Sequence, residues 1–249
     1  MKLVSVIMPY FKKREYVLKS LNSIISQSYK NLEIIIIDDE LSQESKDLMN
    51  KLVNLDRRIL VISNPTNLGS GLSRNKGILI AKGDYIAFCD CDDVWSRNKL
   101  EIQLKYMENN CLNFTHTSYV IVDTDDKIIG RREAKKIISY KSLIKSCDIG
   151  LSTVVIKKSL LQKNNLMFPK MQTKEDYVLW LKISECGETI NGYNEYLSSW
   201  RKSYNSLSSS TIQKIKDGYK VYNFFLGYGV LKSLYCLLIL SINFILKKN

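Results

Sequence analysis

Residues 32–37 read Leu-Glu-Ile-Ile-Ile-Ile and run into the acidic pair Asp38-Asp39. Four consecutive isoleucines leave no polar face. A strand built from them must be covered on both sides, which is the condition of a parallel strand in an α/β sheet. Leu3 to Met8 is a second run of this kind, and between the two Tyr16, Leu18, Leu21, Ile24 and Ile25 recur at helical spacing. The helical pattern returns more weakly from Asp47 to Leu55. Ile59 to Ile62 then supplies a third strand, Asn67 to Ser70 a polar turn, and Leu72 to Ala81 a helix leading into a strand from Tyr85 to Cys89. The alternation predicts an open, mostly parallel, Rossmann-like sheet flanked by helices, with ligands bound at the carboxyl ends of its strands. Asp38, Asp39 and the cluster Asp90-Cys91-Asp92-Asp93 all fall at such ends.

Beyond the helix expected around Lys99 to Asn109 the alternation loosens. Phe114 to Val122 reads as a strand, Asp123 to Asp126 as a turn and Lys127 to Arg131 as its hairpin partner. No linker rich in Pro, Gly or Ser and no internal repeat interrupts the chain. We therefore expect one domain over residues 1–210, with residues 1–110 and 111–210 as its two halves, and a helical tail over 211–249. A length of 249 residues with 45% hydrophobic content suffices for a sizeable core. The net charge of +12 draws such a chain to phosphates or anionic lipid. It carries no nucleic-acid recognition motif, so no nucleic-acid partner is expected. The six cysteines are scattered and read as reduced, cytoplasmic core residues; with His116 as the single histidine they do not compose a zinc site. The apolar start is too short for a secretory signal, and Ser233 to Leu246 falls short of the roughly 20 residues a membrane-crossing helix needs.

Asp90, Asp92 and Asp93 place three carboxylates within four residues. They repel one another and call for a cation. Oxygen ligands suit Mn2+ or Mg2+, ions that keep positions open for phosphate oxygens. Gly69-Ser70-Gly71 lacks the third glycine of a dinucleotide-binding turn and does not follow the first strand, which argues against a dehydrogenase. A glycoside hydrolase would leave Asp38-Asp39 without a task.

Taken together, Ser5-Val6-Ile7-Met8-Pro9-Tyr10, Ile37-Asp38-Asp39, Ser73-Arg74-Asn75-Lys76-Gly77, Ala81-Lys82-Gly83-Asp84-Tyr85-Ile86 and Asp90-Cys91-Asp92-Asp93 resemble, in order and spacing, the family 2 glycosyltransferases of the GT-A fold. Lys174-Glu175-Asp176, Leu179-Trp180-Leu181 and Trp200-Arg201 with Ser206-Leu207-Ser208 extend the resemblance more thinly. The likeness implies a metal-dependent hexosyltransferase working with Mn2+ or Mg2+. Pro9 and Asp39 would frame the uracil of a UDP-sugar, Asp92 would sit by ribose and metal, and Asp93 would be the main metal ligand with Asp90 in support. Arg74 would pair with a carboxylate of the cluster or reach the donor. The first strand ends Pro9-Tyr10-Phe11-Lys12, without the small hydroxyl residue usual in the family, which shifts the expected nucleotide contact to stacking on Tyr10 or Phe11.

Transfer to a hydroxyl needs a base opposite the departing diphosphate. By the same resemblance Asp176 is that base, Glu175 binds the acceptor or orients its partner, Trp180 packs or offers a platform to a sugar ring, and Arg201 with Ser206 or Ser208 stabilises the leaving group. The expected reaction is a single displacement with inversion. Similar short bacterial enzymes build O-antigen, capsule or teichuronic-type polymers, which implies UDP-glucose, then UDP-galactose, as donor and GlcNAc-diphospho-undecaprenol as acceptor. The aromatic, lysine-flanked tail fits either a peripheral position on the cytoplasmic face of the inner membrane or a helical pair packed against the catalytic domain. A non-catalytic nucleotide-sugar or polysaccharide binder of the same fold is the alternative.

Overall fold

A computed structural model describes residues 1–202 and 211–246. The first half alternates as the apolar runs require: β1 (Val4–Tyr10), α1 (Arg14–Ile25), β2 (Leu32–Asp38), α2 (Gln43–Val53), β3 (Ile59–Ser63), α3 (Ser70–Ile80) and β4 (Tyr85–Phe88). There follow β5 (Val94–Trp95), α4 (Lys99–Asn109), β6 (Phe114–Val122), β7 (Ile128–Arg132), β8 (Ile137–Ile138), α5 (Tyr140–Leu143), β9 (Val155–Lys157), α6 (Lys158–Lys163), α7 (Glu175–Glu185) and β10 (Ile190–Arg201). A 3-10 turn, Leu151–Thr153, precedes β9. The C-terminal helices are α8 (Thr211–Lys220), a π-helical turn Val221–Phe225, and α9 (Val230–Leu246).

All strands join one sheet in the order β3-β2-β1-β4-β9-β6-β10-β5, with β7 on the side of β6 and β8 on β10. Strands β1 to β4 pair in parallel, whereas β9 runs antiparallel between β4 and β6. The sheet is therefore parallel in its first half and mixed in its second. Tyr10 pairs with Asp38, so β1 and β2 end level and the loops after them share one rim.

The isoleucine run divides its side chains between two cores, as a period of two demands. Ile35 and Ile37 join Ile7 and Phe88 under α3 and α7, while Ile34 and Ile36 join Val6 and Met8 under α1 and α2. Val221, Tyr222, Cys236 and Leu240 belong to the same cluster as Trp180, so the C-terminal helices and the body share a core. The other face of α9 is open, with Leu231, Leu234, Leu238, Ile242 and Ile245 exposed. Among the described residues no helix is long and apolar enough to cross a membrane.

Candidate functional site

The rim at the carboxyl ends of β1, β2 and β4 gathers the acidic residues. Asp38 is buried, and its Oδ1 accepts from the Ser45 hydroxyl at 2.6 Å and the Glu40 N–H at 3.1 Å, which ties the loop to α2. Asp39 organises the opposite loop. Its Oδ1 accepts from Asn64 Nδ2 and the Leu68 N–H, and its Oδ2 from the Gly69 N–H, each at 2.8 Å. Gly69 holds φ at 81°, in the left-handed region where a side chain would be strained. A carboxylate has about four lone-pair directions, so Oδ2 of Asp39 retains capacity for one more donor.

The Asp90–Asp93 cluster divides into outward and inward members. Asp90 and Asp92 keep 32% and 17% of their side-chain surface open. Asp93 is 2% exposed; its Oδ2 accepts from the Ser152 hydroxyl at 2.5 Å and its Oδ1 from the Arg201 backbone N–H at 3.0 Å. Asp93 therefore does not stand as the foremost metal ligand expected from the sequence. Its carboxylate faces into the protein and braces the loop, and the carboxylates turned toward solvent are Asp90 and Asp92. Burial, reinforced by the charges of Asp92 and Asp90, pushes Asp93 well above the usual carboxylate range. Asp92 is raised by burial and by Asp90, and the Lys13 ammonium, 2.9 Å from its Oδ2, works the other way.

That ammonium shows that Asp92 recruits positive charge. Two outward carboxylates are a hard oxygen set of the kind Mg2+ or Mn2+ accepts while filling its other positions with water and phosphate oxygens. Among the described residues no group of three or more His, Cys, Asp or Glu side chains could hold a metal on its own. The site thus fits a cation completed by the oxygens of its ligand.

Arg74 connects this loop to the second half. It is 4% exposed, lies with its guanidinium carbon 5.6 Å from the Phe168 ring centroid, and donates to Asp90 Oδ1 at 2.6 Å and Glu175 Oε1 at 2.8 Å. Of the two roles the sequence left to it, the structure displays the carboxylate pairing. Gly71 permits the close approach of α3 to α7, because a Cβ there would meet Glu175 Cγ and the Pro169 carbonyl oxygen at 3.1 Å each. Glu175 also accepts from the Ser70 hydroxyl and is buried.

Asp176, beside it in the first turn of α7, is only partly buried. Burial and then the negative charge of Glu175 raise its pKa to about 6, against the lowering effects of the Tyr177 N–H, Arg74 and Lys174. A carboxylate so poised takes up a proton near neutrality more readily than an ordinary aspartate.

Two further expectations need correction. Arg201 is 3% exposed, and its guanidinium is engaged within the protein: Nη1 donates to the Asp123 carbonyl at 2.7 Å, Nη2 to Asp126 at 2.5 Å, and Nε to the Asp92 carbonyl at 3.2 Å. The arginine also lies 4.5 Å from the Tyr16 ring centroid. It clamps the acidic loop to the β6–β7 hairpin instead of facing a leaving group. Tyr10 is 1% exposed and part of the core, so it offers no ring for stacking, whereas Phe11 is 37% exposed. Of the two roles the sequence left to Trp180, the structure displays packing, since the ring is wholly buried among Phe88, Phe114 and Phe168. Ser206 and Ser208 lie outside the described residues.

Ser152 escaped the sequence reading. Its hydroxyl donates to Asp93 and accepts the Asp90 N–H at 3.0 Å, and its carbonyl accepts from Trp95 Nε1 at 2.8 Å. An isolated serine in Leu-Ser-Thr carries no motif; only the antiparallel insertion of β9 brings it under the acidic loop.

The chain has relatives among known proteins. The chain is 33% identical over 238 residues to a protein of Bacillus subtilis (strain 168) named as a teichuronic acid biosynthesis glycosyltransferase, TuaG, covering 94% of this chain and 92% of that one. It is 35% identical over 221 residues to the Escherichia coli UDP-Glc:alpha-D-GlcNAc-diphosphoundecaprenol beta-1,3-glucosyltransferase WfgD, covering 88% and 85% of the two chains. The crystal structure of Staphylococcus aureus TarS 1-349 in complex with UDP-GlcNAc superposes with a TM-score of 0.74 at 18% identity, over 95% of this chain and 70% of that one, a likeness of GT-A-type fold. The profile described as Glycosyl transferase family 2 matches residues 5–166. With that match, and with relatives that align along most of its length, the chain belongs to glycosyltransferase family 2.

Proposed function

We propose that this glycosyltransferase transfers a hexose, glucose before galactose, from a UDP-sugar to a lipid-linked acceptor ending in GlcNAc-diphospho-undecaprenol, in the synthesis of a bacterial surface polysaccharide. The single observation that carries the reading is Arg74, which bridges Asp90 and Glu175 and so makes the cation-seeking loop and the raised carboxylate of Asp176 one site. The relation to WfgD supports the donor and acceptor named here.

Asp39 and Pro9 would border the base of the nucleotide, with the remaining acceptor capacity of Asp39 turned to an N–H of the uracil and the exposed Phe11 ring alongside. Asp92 and Asp90 would hold a divalent cation of the Mn2+ or Mg2+ type, which supplies charge neutralisation to the diphosphate. Asp176 removes the proton of the acceptor hydroxyl as that oxygen forms a bond to the anomeric carbon and the bond to the diphosphate breaks, inverting the configuration. Glu175, held by Arg74 and Ser70, orients the turn from which Asp176 projects. Arg201 keeps the acidic loop in place. The open apolar face of α9 would lie on the cytoplasmic surface of the inner membrane, where a lipid-linked acceptor is presented.

The test is UDP release in the presence of Mn2+, a panel of UDP-sugars and GlcNAc-diphospholipid acceptor, with linkage analysis of the product. Acceptor-dependent release with UDP-glucose is the expected result. Tight UDP binding without release from any sugar would make the protein a non-catalytic binder.

A further inference from the structure

We propose that Asp217, on the C-terminal helix α8, is a positioning residue for Asp176; the proposal rests on Asp176 acting as the base. Asp217 is 1% exposed, and its Oδ2 accepts two hydrogen bonds from one residue, the Thr173 N–H at 3.1 Å and the Thr173 hydroxyl at 2.8 Å. Lys220 Nζ stands 3.8 Å from the other oxygen. Packing alone would be served by an apolar side chain, because a buried carboxylate is costly unless its oxygens are bonded. Here both hydrogen bonds from Thr173 tie the carboxylate to the corner that launches α7.

The corner needs them. Lys174, between Thr173 and Glu175, has φ 64° and ψ 15°, left-handed values that a residue with a Cβ adopts only where its surroundings impose them. As the N-cap of α7 it provides no side-chain hydrogen bond to the helix, so the first turn, from which Asp176 projects, is held by Glu175 through Arg74 and Ser70 and by Asp176 through the Tyr177 N–H, with no cap at the residue that opens it. Asp217 fastens the residue just ahead of it. Gly218 completes the contact: a Cβ there would meet Leu237 Cδ1 at 2.7 Å and Lys174 Cε at 3.6 Å, so α8 is wedged between α9 and the corner. Through this stack the C-terminal helices set the direction in which Asp176 points.

Three variants test it: Asp217→Ala, Asp217→Asn and Thr173→Val, each assayed for kcat of sugar transfer across pH and, separately, for UDP affinity with Mn2+. Misplacing a reacting group by a fraction of an ångström to one ångström costs up to about a hundredfold. Asp217→Ala is therefore expected to lose about tenfold or more in kcat, with UDP affinity within about twofold of wild type and a displaced acid limb in its pH profile. Asp217→Asn, whose amide oxygen still accepts from Thr173, restores most of the loss, and Thr173→Val, which keeps the N–H bond, loses about threefold to fivefold. Full kcat in Asp217→Ala overturns the proposal, as does a loss of UDP affinity in step with kcat, or an Asn variant no better than Ala. Where Asp217→Ala does not fold, wild-type kcat in Thr173→Val overturns it instead. If Asp176→Asn itself turns over normally, the base reading has failed; if Asp176→Asn is inactive and Asp217→Ala is fully active, only the role of Asp217 has.

Discussion

Asp176 and Arg74 are the residues whose surroundings bear most directly on chemistry. With its pKa raised to about 6 by burial and by Glu175, Asp176 must lose its proton to act as a base. Transfer activity should thus climb with pH through that value and level off above it. Asp176→Asn should reduce turnover by about a hundredfold to ten-thousandfold and abolish the acid limb; a pH-rate profile of both proteins, in which the limb survived the substitution, would contradict the assignment. Arg74 holds two carboxylates at once in a buried setting. Truncating one partner of a buried charge pair leaves the other uncompensated, so Arg74→Ala should lower folding stability by about 3–5 kcal/mol, read as a lower urea midpoint. Arg74→Lys should recover only part, since an ammonium cannot fork to both Asp90 and Glu175.

At the scale of elements, the site depends on how closely α3 lies on β1. Gly77 faces Ile7, and a Cβ at that position would come within 2.5 Å of Ile7 Cγ2, in a side chain that is itself fully buried. The gain in helix propensity from alanine, about 1 kcal/mol, is smaller than the strain of overpacking, about 1–3 kcal/mol. Gly77→Ala should therefore destabilise on balance, and by pushing α3 outward it should also weaken the Arg74 bridge. A thermal melt and a UDP titration check both. The same scale explains why the surroundings of Arg201 and Trp180 cannot be read from the sequence. Their residue types suit a leaving group and a sugar, but Arg201 is engaged by carbonyls 77, 78 and 109 positions away, and Trp180 by rings from β4, β6 and the segment before α7. No local pattern carries contacts of that separation.

For the molecule as a whole, the proposed membrane position would draw on two features together, the net charge of +12 and the apolar face of α9. Each leucine buried in an acyl boundary contributes about 1.5–3 kcal/mol, and each lysine near an anionic surface about 1 kcal/mol. The protein should co-sediment with phosphatidylglycerol vesicles more than with phosphatidylcholine vesicles, and less at high salt, where the charges are screened. The double variant Leu234→Asp, Leu238→Asp should lose at least about tenfold in vesicle partitioning while keeping UDP affinity, because both side chains are open and neither supports the site.

Much of the first half was readable without coordinates. Continuous apolar runs admit only strands covered on both faces, so β1 to β4 with their helices, and the gathering of Asp38, Asp39 and Asp90 to Asp93 on one rim, follow from local periodicity. The motif residues carried the family as well. What tertiary structure alone decided is orientation and partnership: which member of the acidic cluster faces outward, that Tyr10 and Trp180 are core, that Arg201 is a clamp, and that Ser152 and Asp217 reach the site from afar. Periodicity is a property of neighbours along the chain, whereas the burial of a carboxylate and the donors that satisfy it are set by strands and helices brought together from 40 to more than 100 residues apart.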